Sequence, residues 1–129
     1  MSEQEIFAVL DQKTLLNLQN SMKEMPDRYA LVLEFFLDGL SEGLASIEEG
    51  FKAQEAEPIL RHAHSLKSQS AIVGALKLSH LFKCLEQKGR ANVLMGSAEL
   101  IEQIHIELQR VRPAVVAEIK KSQSCGVNQ

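Results

Sequence analysis

Residues 56–74 read AEPILRHAHSLKSQSAIVG. Within this stretch Ala56, Ile59, Ala63, Leu66, Ser70 and Val73 recur in three-four alternation, the spacing that gathers side chains on one face of an α-helix and buries them. The pattern predicts a helix from about Glu55 to Val73, with Gly74 as the left-handed residue that closes it. At about 100° per residue, His64 projects about 130° from the centre of that seam, so its imidazole belongs to the solvent side. Lys67 and Ser68, three and four residues later, share its face, beside Leu60 and Ala71.

Outward from this helix the same period continues. Leu78, Leu81, Phe82 and Leu85 predict a helix over about Ala75 to Lys88, stopped by Gly89. Its connection to the preceding helix is short enough to make the two antiparallel neighbours. Upstream, Tyr29, Leu33, Phe36, Leu40, Leu44 and Ile47 predict a helix from Pro26, suited to a first turn, to about Glu49, with Gly50 as its stop. Leu15, Leu18 and Met22 give a short helix over about Asp11 to Met22. Downstream of a loop at 90–96, Ser97 is the expected N-cap of a last helix carrying Ile101, Ile104, Leu108, Val111, Val115 and Ile119. Pro113 lies inside that pattern, where a proline costs about 3 kcal/mol, so a kink or break is expected before it.

Leu dominates the apolar residues and Thr14 is the only threonine, which favours helices over strands. The fold class expected is therefore all-α, an antiparallel four-helix bundle with an additional short N-terminal helix. With 129 residues, 45% of them hydrophobic, the chain is expected to form one domain. Its bundle core is placed at about 26–121, with 1–10 and 122–129 as flexible ends.

Composition narrows the function classes. A formal net charge of -3 argues against a surface built to bind nucleic acid, and no run approaches the roughly 18–20 apolar residues of a membrane span. Residues 1–10 lack the basic-then-apolar order of a secretory signal, and Cys84 and Cys125 form no framework, so a cytoplasmic protein with free thiols is expected. Metal chemistry in a bundle core calls for paired Glu-x-x-His motifs, and only Glu102 with His105 fits. No glycine-rich nucleotide loop is present, so no kinase activity of its own is expected.

On spacing alone His64 is one more solvated surface histidine. The run His64-Ser65-Leu66-Lys67-Ser68-Gln69-Ser70, ending at Gly74, resembles the phosphoacceptor motif of histidine-containing phosphotransfer (HPt) domains, which reads His-x-x-Lys-small-x-small before a helix-terminating glycine. The likeness extends over the helical pattern from about Pro26 to Val111. It implies that His64 receives a phosphoryl group and that Lys67 is its charge partner. Glu86 matches a position where the family often carries a Glu or Gln that orients the imidazole; read by itself, it is equally a solvated helical carboxylate. Ser68 stands where glycine is common, and its small size keeps the surface near the histidine clear for a partner. Lys83 is a further cation near the site, read as a surface lysine.

The resemblance further implies a phosphocarrier and not an enzyme. Its partners are receiver domains of response regulators and a sensor or hybrid histidine kinase. It has no cofactor of its own; Mg²⁺ belongs to the receiver. A monomer is expected. Leu15, Leu18, Met22 and Leu60 are candidates for a weakly apolar partner surface, although their spacing suits the core at least as well. Two other readings compete: an adaptor that binds a signalling partner without covalent chemistry, and a metal-binding bundle.

Overall fold

The computed structural model describes residues 9–127, in which five helices and no strands occur. They are α1 (Gln12–Ser21), α2 (Pro26–Lys52), α3 (Ala56–Ile72), α4 (Leu76–Ala91) and α5 (Ser97–Val127). Helix α2 packs on α3, α3 on α4, α4 on α5 and α5 back on α2, which closes a four-helix bundle; α1 lies against α2 and α3. The predicted stripes meet in its centre, where Leu33, Leu40, Ile47, Ile59, Leu78, Phe82, Leu85, Ile104, Val111 and Val115 are fully buried. Each such side chain contributes about 1.5–3 kcal/mol of apolar burial, which is what fixes the phase of the helices around their axes.

Helix α1 starts with Asp11 as its N-cap, the carboxylate accepting from the Thr14 amide at 3.0 Å. The Asp11 amide in turn donates to the Gly74 carbonyl at 2.8 Å, which seats α1 on the α3–α4 turn. Gly74 has φ +82°, and a Cβ there would lie 2.8 Å from the Asp11 carbonyl oxygen, so this turn needs glycine on both counts. In the first turn of α2, the buried Tyr29 hydroxyl donates to Glu118 of α5 at 2.8 Å. Burial, reinforced by that carboxylate, pushes the phenol above its ordinary range and keeps it a donor.

Several boundaries differ from the sequence expectations, each for a packing reason. Gly50 and Gly89 are not stops. Both lie inside helices and are buried, Gly50 against Pro58 and Ile59, Gly89 against the backbone of Leu60. The chain instead leaves its helical path at Gln54 (φ 56°) and Asn92 (φ 57°), where Glu55 and Val93 donate back to the Gly50 and Lys88 carbonyls.

Helix α5 is not broken at Pro113. The proline sits on the exposed side while Val111 and Val115 hold the buried side, so packing carries the helix across its missing hydrogen bond. Ser97 begins α5, yet its hydroxyl is buried with no hydrogen-bond partner among the described residues and so provides no side-chain cap. Of the ends expected to be flexible, Val9 and Leu10 are buried and α5 continues to Val127; residues 1–8 and 128–129 lie outside the described residues. Leu15 is core, whereas Leu18 and Met22 pack against that core half-buried and Leu60 is also half-buried.

Candidate phosphoacceptor site

Helices α3 and α4 share the most extensive helix–helix contact of the bundle, and the site lies along their seam. From α3, the His64 side chain is 61% exposed, as the phase of Ala63 and Leu66 requires. From α4, Glu86 is 4% exposed, which corrects the reading of it as a solvated carboxylate. A buried carboxylate persists only when its oxygens are bonded and its charge is answered. Here Oε2 meets His64 Nδ1 at 2.5 Å and Oε1 accepts from Lys67 Nζ at 2.7 Å. A third donor, Arg90 Nη2, reaches Oε2 at 3.3 Å.

These contacts hold the Glu86 carboxyl below its ordinary range. The bond from Lys67 contributes most, the bond from His64 acts in the same direction, and burial opposes both. An ionised Glu86 accepts a hydrogen bond from Nδ1–H and so selects the imidazole tautomer whose Nε2 carries the lone pair. Among the described residues no group bonds Nε2, which faces solvent from the exposed ring.

Lys67 is half-buried and in this arrangement serves Glu86 first, with its charge beside the imidazole. Ser68 is exposed, and its hydroxyl turns back to the His64 carbonyl at 3.5 Å, so it adds little relief next to the ring. Lys83 is exposed one turn before Glu86 on α4.

Arg90 is the site residue that the sequence reading missed, because taking Gly89 as a stop left it in a loop. The signal was available: an Arg four residues after a Glu on a continuing helix is a paired position. The other histidines stand apart from this site. His105 pairs with Glu48 across α2 and α5, His80 lies 3.7 Å from the Cys84 sulfur, and His62 is half-buried. Among the described residues no three His, Cys, Asp or Glu side chains are grouped to hold a metal ion, and no helix is long and apolar enough to cross a membrane.

The model of the Hpt domain matches residues 31–114, and the chain belongs to that family. Its members are phosphocarriers of phosphorelays, not kinases, and they interact with receiver domains and histidine kinases. Among solved structures, the chain is similar to the crystal structure of histidine-containing phosphotransfer protein B from Pseudomonas aeruginosa PAO1. That likeness has a TM-score of 0.80 and 33% sequence identity, over 88% of this chain and 96% of that one. No curated protein matches the chain.

Proposed function

We propose that His64 is the phosphoacceptor: it takes a phosphoryl group from the aspartyl phosphate of a receiver domain, or from a histidine kinase, and passes it to an aspartate of a response-regulator receiver. The observation that carries this reading is the exposed imidazole whose Nδ1 is held at 2.5 Å by a buried, ionised carboxylate.

The Nε2 lone pair attacks phosphorus, the Nε2–P bond forms, and the P–O bond to the donor aspartate breaks, returning that side chain as a carboxylate. Positive charge develops on the ring during attack. Glu86 stands against Nδ1 to stabilise it, as a carboxylate does wherever a histidine passes through its imidazolium form. The bonds from Lys67 and His64 keep Glu86 ionised, and Lys67 and Arg90 place positive charge beside the phosphoryl oxygens. In the reverse direction a receiver carboxylate attacks the same phosphorus and the neutral imidazole leaves. Mg²⁺ enters with the receiver, whose oxygens it would bind.

Further apolar surface available to that receiver lies on α2 and α3. Ile72 (53% exposed) on α3 lines a small cleft with Val32, Phe36, Gln69 and Val73, and Phe35 (70% exposed) adds an apolar ring on α2 outside that cleft. Ile72 follows His64 by eight residues, about 12 Å along the helix.

Incubation with a phosphorylated receiver domain and Mg²⁺ tests the proposal. Wild type gains an acid-labile, base-stable label and His64→Gln gains none; equal labelling of the variant removes the assignment. A His64→Ala chain that binds the receiver normally, together with a wild type that never takes label, would instead identify an adaptor.

A further inference from the structure

The His64–Glu86 bond spans two helices, so its length depends on how α3 and α4 are set against each other. Besides the apolar core, two contacts close to the site bear on that setting. On one side, the Ser79 hydroxyl in the first turn of α4 donates at 2.8 Å to the backbone carbonyl of Lys67. A side-chain hydroxyl thereby fixes the axial register of α4 against the very turn of α3 that carries His64 and Lys67. On the other side, Gly89 lies three residues after Glu86 and opposite Leu60, one turn before His64. A Cβ at position 89 would sit 2.9 Å from the Leu60 amide nitrogen and 3.0 Å from its Cα. Those are backbone atoms and cannot turn aside, so any side chain here drives the helices apart.

We infer that Ser79 and Gly89 are positioning residues of the phosphotransfer site: Gly89 sets the distance between α3 and α4, Ser79 sets their register, and together they hold Glu86 on His64 Nδ1. The inference rests on the assignment of His64 as phosphoacceptor. Neither residue touches the imidazole. The bond they govern is short, 2.5 Å, and a displacement of about 1 Å takes it outside the ordinary 2.7–3.2 Å range. Once it is lost, the ring is free to carry its proton on Nε2, the atom that must be bare to attack. Misplacement of that size, caused away from the reacting atoms, costs about 10- to 100-fold in rate.

The test uses the whole chain with two readouts. Long-range ¹H–¹⁵N NMR of the unphosphorylated protein reports which ring nitrogen of His64 carries the proton, and single-turnover transfer from a phosphorylated receiver reports the rate. Wild type is expected to show the Nδ1–H tautomer. Ser79→Ala is expected to lose part of that population and to slow transfer about tenfold, with Gly89→Ala affected more. Ser79→Thr, which keeps the hydroxyl, is expected to restore both readouts.

Ser79→Ala with the wild-type tautomer and rate overturns the inference, even where Gly89→Ala fails to fold. So does a shifted tautomer with an unchanged rate, or failure of Ser79→Thr to rescue. A wild type that takes no phosphate defeats the phosphoacceptor assignment instead, while the tautomer measurement still decides whether Ser79 and Gly89 position the ring.

Discussion

Glu86→Ala is the substitution that most clearly separates chemistry from folding at this site. In the wild type Oε2 lies 2.5 Å from His64 Nδ1 and the carboxyl is held ionised, so the bond is charge-assisted on the acceptor side. As the ring gains positive charge in the transition state, the donor side becomes charged too. Losing such a bond forfeits about 1.5–3 kcal/mol, which at about 1.36 kcal/mol per decade slows transfer about 10- to 150-fold. The fold loses much less, because Lys67 and Arg90, with side chains 30% and 66% exposed, turn to water once the carboxylate is gone. The assay is single-turnover transfer from a labelled receiver at saturating and subsaturating concentrations, beside a thermal melt of each protein. The account predicts a fall in the transfer step with little change in half-saturation. A rate within about twofold of wild type would refute the orienting role of Glu86.

Three further outcomes follow from the same structure. The Glu86 carboxyl titrates below its ordinary 4.5 in the folded chain, so its contribution to stability is complete above that value and is lost as pH falls through the folded-state value. Melting temperatures of wild type and Glu86→Gln should therefore differ by a constant amount near neutrality and converge in acid, and a gap that widens in acid contradicts the assigned direction. Pro113→Ala restores a backbone donor on the exposed side of an unbroken helix and is expected to stabilise by up to about 3 kcal/mol in denaturant titration; a loss of stability would show that the helix depends on the proline. Gly74→Ala forces a Cβ into the left-handed region and against the Asp11 carbonyl, with about 1–2 kcal/mol lost to the backbone alone. Amide exchange at Asp11 should then accelerate, and unchanged protection there would contradict the seating of α1.

What could be read from the sequence divides along physical lines. Helix phase is a local property: Ala63, Leu66 and Ser70 were enough to bury one face of α3 and so to expose His64 on the other. Cross-helix distance is not local. The burial of Glu86 follows from how closely α4 approaches α3, and that approach rests on Gly89 meeting the backbone of Leu60, a contact that no periodicity announces. Gly89 and Gly50 show that a glycine inside an apolar stripe signals close approach as readily as termination. The stops fell instead on Gln54 and Asn92, residues whose left-handed conformation depends on the carbonyls they leave behind. Arg90 was lost with Gly89. The local cost of Pro113 is outweighed by the packing of Val111 and Val115 on either side. Leu15 illustrates the reverse limit: spacing put it on an apolar face, but only the fold shows that the face is turned inward.

The central claim is that phosphate is carried on one nitrogen of one side chain. ³¹P and ¹⁵N NMR of the chain after transfer from a phosphorylated receiver tests it directly. The result predicted is a single phosphorus coupled to Nε2 of His64, with a proton retained on Nδ1 opposite Glu86. Phosphorus on Nδ1, or on any residue other than His64, would contradict it.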